Sequence, residues 1–388
     1  MTAVYYLWIT LQVVTGFHLV FPLLLYLVYL LRRTPAQAAP AGGHAGEADY
    51  AVIVTAYEQT ALLPAVVDSL LRMRYTRYMI YIVADNCDIS GLHFPDERVV
   101  LLRPETVLAS NTRSHFYAIR HFRRPHERLT IIDSDNSVDP EYLNRLNAAF
   151  DNGFKAVQGL RQPANLDTVY ACLDAARDIY YHFYDGRLLS GAGSSATLSG
   201  SGMAFTTALY RSCLEHRDIT GAGFDKVLQA EIVRRGYRIA WQEDAVVYDK
   251  KTAQSGQLVA QRARWINTWF RYFPLGFGLV AKGVAAGSRN RFLFGLVLLR
   301  PPLFLFLLLS LCCMAVNLLM APVVAAVWLA GLALFAAGFG LALARSHTDR
   351  RIYRSLQYAP AFVFFQVLAL LKVRKANKYS VATRHEEH

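Results

Sequence analysis

The sequence predicts an α/β domain with a doubly wound, mostly parallel sheet, set between membrane-spanning and interfacial helices. Three observations predict it. Short apolar runs alternate with helical patterns between Tyr50 and Trp241, as expected of a sheet fed by crossover helices. Polar or acidic residues follow several of these runs directly, at the edge where open α/β sheets bind ligands. Long apolar stretches bordered by arginines lie toward both ends of the chain. Of the 388 residues, 54% are hydrophobic and 18% charged, too apolar for an ordinary soluble protein of this size.

The net charge of +12 on such a chain fits cationic membrane flanks and anionic ligands such as nucleotide phosphates. Neither a basic helix face nor a recognised nucleic-acid module accompanies it, which argues against DNA or RNA as the partner. Cys87, Cys172, Cys213, Cys312 and Cys313 show no metal-ligand spacing, so neither a zinc site nor a disulfide scaffold is expected.

Residues 4–31 are long and apolar enough to span a bilayer. Arg32 and Arg33 follow this run and no basic residue precedes it, the reverse of a secretory signal. The positive-inside rule then puts the N-terminus outside and the next residues in the cytoplasm. His18 within the span reads as a packing residue. Residues 33–48 form a Pro/Gly-rich linker.

From Asp49 the soluble pattern begins. Strands are expected at 50–55, 79–84, 99–102, 129–132, 156–159 and 237–241. Helices are expected at 62–73, 113–122, 167–187 and 224–235, with another starting near Pro140. Residues 189–202 are Gly- and Ser-rich and read as a loop close to a ligand or another backbone. The polar stretch 243–261 reads as a mobile segment of the site. Residues 266–282, rich in aromatics, suit a helix in the headgroup region. Residues 292–344 hold two spans divided near Pro322, with Arg300 snorkelling at the start. Residues 358–371 read as an interfacial or re-entrant helix, a fourth span being the alternative. The basic tail beyond 371 is positioned to meet lipid phosphates.

Residues 129–140, LTIIDSDNSVDP, carry the sharpest chemical signal. Asp133 and Asp135, one residue apart at a strand end, can address one divalent cation, although an Asx-turn would need the same residues. Thr55, Ala56, Tyr57 and Glu58 fall at the end of the first strand. Asp85, in VADNCD, ends the second, where a carboxylate can receive a base or ribose or else serve a turn. Asp225 lies at a helix start, as an N-cap or as a general base. Gln261-Arg262-Ala263-Arg264-Trp265 offers a guanidinium fork for a diphosphate and a flat ring for a sugar. For Arg262 alone, a basic membrane belt explains the residue as well.

In combination these motifs resemble the membrane-bound inverting glycosyltransferases of family 2, which include cellulose, chitin and hyaluronan synthases. The resemblance covers nearly the whole chain and implies a GT-A-type domain at residues 49–265. VADNCD is similar to the family's first-aspartate motif, Asp133-Ser134-Asp135 to its DxD, and residues 261–265 to its QxxRW. Gly200-Ser201-Gly202-Met203 and Gln158-Gly159-Leu160-Arg161 are similar to two further motifs. Their roles would then follow: Thr55, Ala56, Tyr57, Glu58, Asp85, Asp133, Arg161 and Gly202 on the donor, and Asp135 with Asp133 on Mg²⁺ or Mn²⁺. Asp225, Gln261, Arg264 and Trp265 would carry catalysis. One departure stands out. Many members have an acidic pair where this chain has Phe224-Asp225, so Glu231, Glu243 and Asp244 are alternative bases.

The resemblance implies a UDP-linked sugar as donor and a saccharide or lipid-linked acceptor. Polymerisation, with partner subunits for export, and transfer of a single sugar are both open. A dehalogenase-type phosphatase would use Asp133 as nucleophile, but lacks the acidic pair it needs and leaves QRARW unexplained. A non-catalytic scaffold fits poorly with the retained motifs. A transporter fits poorly with the few spans.

Overall fold

The computed structural model describes residues 2–32, 47–251 and 255–373. Most of the expected linker and the basic tail beyond 373 lie outside them. The first helix, α1 (Thr2–Leu31), is apolar along its whole length. The domain that follows runs β1 (Tyr50–Tyr57), α2 (Leu63–Leu71), β2 (Tyr78–Asp85), β3 (Val99–Leu102), α3 (Asn111–Arg120) and β4 (Arg128–Asp133). It continues with β5 (Asn136–Val138), α4 (Tyr142–Asp151), β6 (Ala156–Pro163) and α5 (Val169–Tyr181). A π-helix (His182–Leu188) and a single turn, α6 (Leu189–Gly191), lead to β7 (Met203–Thr206), α7 (Thr207–Leu214), α8 (Phe224–Arg234) and β8 (Ile239–Asp249).

These strands form an eight-stranded mixed sheet in the order β3-β2-β1-β4-β7-β6-β8-β5. The first four are parallel. β7 is antiparallel to both its neighbours, and β5 is antiparallel to β8. The expected mostly parallel sheet is found, β6 and β8 also pairing parallel, with antiparallel pairings at β7 and β5 that make it mixed. Short strands pairing in the second half could not be read from runs of three or four residues. Alternate residues of β1 face opposite layers. Val52 and Val54 pack with α2 and α4, while Ala51 and Ile53 pack with α3, α7 and α8.

The chain leaves β1 toward β2 and β3, then returns to β4 on the other side of β1. That reversal opens a crevice at the strand ends, where doubly wound folds bind ligands. Thr55 and Asp133 stand opposite each other in its register.

Residues 243–249, expected to be mobile, continue β8. A break in register between Gly159 and Leu160 of β6 pushes Glu243 and Asp244 outward. A Cβ on Gly159 would collide with the Ala245 carbonyl there.

Beyond the sheet come α9 (Ser255–Tyr272), α10 (Leu275–Ala285), α11 (Arg289–Leu299), α12 (Leu303–Met320) and α13 (Pro322–Ala344). A short helix, α14 (Arg350–Ser355), runs through a 3₁₀ turn into α15 (Ala359–Leu371). The boundary expected between 265 and 266 falls inside α9. Among the described residues four helical stretches are long and apolar enough to cross a membrane: α1, α12, α13 and Arg350–Leu371. The Gln12 side-chain oxygen accepts from Asn317 Nδ2 at 2.7 Å and Trp328 Nε1 at 3.0 Å, tying α1 to α12 and α13. Tyr184 of the π-helix donates to the Gly338 carbonyl at 2.9 Å, which fixes the sheet domain to α13. Arg300, expected to snorkel, is buried and pairs with Asp185.

Candidate functional site

One cavity of about 600 Å³ opens at the C-terminal ends of β1 and β4. The turn Ser134–Asp135 joins β4 to β5 at its rim, and both ends of that turn are held. The Asp133 N–H donates to Ser201 Oγ at 3.0 Å, and Asn136 Nδ2 donates to Asp249 Oδ1 at 3.1 Å. Burial and the neighbouring Asp135 carboxylate push Asp133 up to about 7. Two carboxylates crowded this way are the arrangement a divalent cation relieves. No group of three or more His, Cys, Asp or Glu side chains that could hold a metal occurs among the described residues. The protein therefore offers a carboxylate pair, which fits a hard cation that also takes diphosphate and water oxygens.

A chain of charges runs from this rim across the cavity wall. Arg161 Nη2 lies 2.9 Å from Asp249, and its Nη1 donates to the Ser199 carbonyl at 2.5 Å. Asp249 also meets Lys251 Nζ at 2.6 Å, and Lys251 bridges onward to Asp178. Arg177 holds Asp178 at 2.5 Å and Asp174 at 3.1 Å, and Asp174 closes on Arg262. The chain holds four cations and three anions, a positive excess suited to an anionic ligand. Burial alone would discharge Lys251, but Asp178 and Asp249 keep its pKa above the ordinary value. His182 beside it is driven down to about 4, chiefly by burial, and is neutral at pH 7.

The π-helix is what brings these groups together. Its extra residue per turn lets Tyr181, His182 and Asp185 line the cavity while Phe183 and Tyr184 pack toward α1 and α13. Gly186 lies so close to the Trp241 ring that a Cβ would stand 2.6 Å from it.

Asp225 sits in the first turn of α8, with its side chain 16% exposed and 3.2 Å from Lys226 Nζ. The preceding Gly223 has φ 107°, and a Cβ there would meet Tyr272 at 2.5 Å and Thr268 at 2.6 Å. Glycine thus sets the angle at which α8 presents Asp225 against α9. Gln261, Arg264 and Trp265 line the opposite wall from α9. The guanidinium carbons of Arg177 and Arg262 lie 4.4 and 4.2 Å from the Trp265 ring centre. Arg262, read as a membrane-belt candidate, is 2% exposed and paired, so that reading is corrected.

Of the sequence-derived site residues, Thr55, Tyr57, Asp133, Asp135, Arg161, Asp225, Gln261, Arg264 and Trp265 line this cavity. Ala56, Glu58, Asp85 and Gly202 are not among its lining residues. Asp85 is 2% exposed, and its two oxygens accept from the Leu108 and Ala109 N–H groups at 2.9 and 2.8 Å. It fixes the entry to α3, whose first residue, Asn111, does line the cavity. Glu58 accepts from Asn86 Nδ2 at 3.1 Å, and the Gly202 carbonyl receives the Gly159 N–H at 2.8 Å.

Of the alternative bases, Glu231 is engaged by Arg217, Arg234 and Arg235, which hold its carboxyl below the usual range. Glu243 and Asp244 stand exposed on the β8 bulge. Asp174, Asp178, Asp249 and Lys251 were not singled out from sequence, because each acquires meaning only through partners distant in the chain.

Residues 48–268 match the family model described as "Glycosyltransferase like family 2". No curated protein matches the chain in sequence. Among solved structures, the chain is similar to the mannosyltransferase PcManGT from Pyrobaculum calidifontis in complex with GDP-Man and Mn²⁺. The TM-score is 0.60 at 18% identity, over 95% of this chain and 99% of that one. This likeness concerns the fold, a GT-A-like mixed sheet with apolar helices. S. aureus TarS 1-349 in complex with UDP aligns at a TM-score of 0.38 and 15% identity, over 60% of this chain and 65% of that one. That value is too low to carry any conclusion.

Proposed function

The chain belongs to the glycosyltransferase family 2-like group, and we propose that it is a membrane-bound, inverting, metal-dependent enzyme. It moves a sugar from a nucleotide donor, UDP-linked in our reading, to the hydroxyl of a saccharide or lipid-linked acceptor. The observation that supports this most is that the Asp133–Asp135 pair, Asp225 and Gln261, Arg262, Arg264 and Trp265 line one cavity.

In this proposal the nucleotide lies along the ends of β1 and β4, near Thr55 and Tyr57. A divalent cation held by Asp135 and Asp133, Mg²⁺ or Mn²⁺, supplies charge neutralisation for the diphosphate. Asp225 takes the proton of the acceptor hydroxyl as its oxygen bonds to the anomeric carbon. The bond from that carbon to the diphosphate oxygen breaks, and the nucleoside diphosphate leaves with the electron pair. Attack from the opposite face inverts the configuration. Arg161 and Arg264 stabilise the negative charge as it moves onto the leaving group. Trp265, held beneath two guanidinium groups, presents a flat face that orients the acceptor.

In this proposal the N-terminus lies outside and the sheet domain in the cytoplasm, at the cell membrane. Arg32, directly after the apolar α1, supports that orientation by the positive-inside rule. α15 packs on α9 through Val259, Ala263, Ile266 and Ala369. Because α9 carries the cavity wall, we read α15 as an interfacial helix, not a fourth span. Incubating the protein in nanodiscs with a panel of labelled nucleotide sugars and Mn²⁺ tests the reading. Metal-dependent release of nucleoside diphosphate with transfer of the sugar is expected. A phosphorylated Asp133 trapped from a phosphate ester would instead point to phosphatase chemistry.

A further inference from the structure

The cavity does not end at the sugar-transfer groups. Its lining also includes Val297 and Leu298 of α11 and Leu303 and Phe304 of α12, with Pro301, Pro302 and the Asp185-paired Arg300 between them. Leu303 and Phe304 are the first two residues of a helix apolar enough to span the membrane. Asp133 and Asp135 reach this space from the strand ends, and the rings of Tyr181, Trp265 and Trp269 reach it from α5 and α9, with Arg177 and Arg262 over Trp265 and Arg300 over Tyr181. Leu303 and Phe304 reach it from the start of α12.

The cavity wall has both kinds of unused hydrogen-bonding atom. Gln261 Oε1 and Asp185 Oδ1 are buried acceptors, and Trp269 Nε1, Arg177 Nε and Arg262 Nε are buried donors, without partners among the described residues. Asp185 is 4% exposed and Arg262 2%. Unmet donors and acceptors together, beside aromatic faces, match a ligand whose hydroxyls both give and accept hydrogen bonds. An all-hydrocarbon ligand would leave those atoms unpaired. A wholly hydrophilic one would gain nothing from the apolar lining.

From this lining we infer that the acceptor is a lipid-linked saccharide, with its sugar held among Tyr181, Trp265 and Trp269 and its hydrocarbon leaving past Leu303 into the adjacent leaflet. The inference rests on the transferase reading and names the acceptor class of that site. The extent of the cavity supports the same choice. Among the described residues its lining includes nothing of α12 beyond Phe304 and nothing of α1 or α13. A polymer leaving through this chain's own spans would need a polar path through about 30 Å of hydrocarbon. Here the path stops in the first turn of α12, where a lipid-borne product can slide back into the bilayer.

The test uses native membranes containing the full chain, incubated with the labelled nucleotide-sugar panel and Mn²⁺, then extracted with chloroform–methanol. The expected result is label in the organic phase. Leu303→Trp, which fills the apolar exit, should lower that label at least about tenfold, while Mn²⁺-dependent donor binding stays unchanged. Leu303→Trp should also keep the wild-type helical content and thermal transition, which guards against a folding defect. Label found only in water-soluble or ethanol-insoluble saccharide would overturn the inference, as would equal organic label in the wild type and Leu303→Trp. Loss of donor binding in the wild type, with no labelled product of any kind, would overturn the transferase reading and this inference with it.

Discussion

At one end of the cavity, two aspartates a single residue apart close the turn between β4 and β5. Farther along its wall, Asp174 of α5 and Arg262 of α9 meet from positions 88 residues apart in the sequence. The first end is a local device: a buried strand stops, and its next residues face the ligand edge of the sheet. The second is a lattice of paired charges that exists only once α5, the π-helix, β8 and α9 have packed. The contrast separates chemistry from scaffolding. In the proposed reaction, groups at the strand ends, Asp225 and Arg161 act on the reacting atoms. The Asp249–Lys251–Asp178–Arg177–Asp174–Arg262 chain, joined to Arg161, holds the wall that positions them.

The largest expected effect tests the chemical end. Asp225→Asn should lower transfer by about a thousandfold, within the 10²–10⁴ range of general-base catalysis, with nucleotide-sugar binding retained. Steady-state rates alongside calorimetric binding read both quantities, and near-normal turnover would remove Asp225 from the base role. At the scaffold end, Arg262→Met strips one partner from a pair that is almost fully desolvated. Because Asp174 keeps Arg177, the expected loss is at the low end for a broken buried pair, about 3 kcal/mol, read as a fall in thermal or denaturant stability. If stability holds and only catalysis drops, Arg262 belongs with the chemistry instead.

A pH experiment sharpens the boundary between the two. Burial and Asp135 raise Asp133 to about 7, so without metal the folded protein holds a proton there that the unfolded chain releases near pH 4. Stability of the metal-free protein should therefore fall as pH rises from about 4 to 7. Mn²⁺ must displace that proton. Its apparent affinity should weaken about fivefold from pH 7 to pH 6 and level off above pH 8, as metal titrations at several pH values would show. The smallest effect belongs to Glu231, on the same helix as Asp225 but turned toward three arginines. Glu231→Gln should change transfer less than about twofold and cost about 1 kcal/mol of stability. A collapse of activity there would reopen the assignment of the base.

How much of this was legible in the sequence follows the same division. β1, β2 and β4 stand out as apolar runs, and the acidic residues after them mark the ligand edge without any tertiary information. β5 and β7 could not be seen, since three or four residues become strands only by pairing with β8 and β4. The polar composition of residues 243–251 read as mobility, whereas Asp249 and Lys251 are buried and neutralise one another's surroundings. The π-helix left no periodic trace beyond that of an ordinary helix, although its register decides that Asp185 faces the cavity and Tyr184 packs on α13. Asp85 illustrates the converse. Its position after β2 was plain, but the Leu108 and Ala109 N–H groups that occupy it come from a loop whose path depends on the fold.

The central claim is that the turn between β4 and β5 is a metal–diphosphate clasp at a membrane-facing transfer site. Asp135→Ala, compared with wild type in nanodiscs across a Mn²⁺ series, tests it most directly. The variant should keep its fold and its helices yet show no metal-dependent transfer at any Mn²⁺ concentration. Wild-type rates at high Mn²⁺ in that variant would contradict the account.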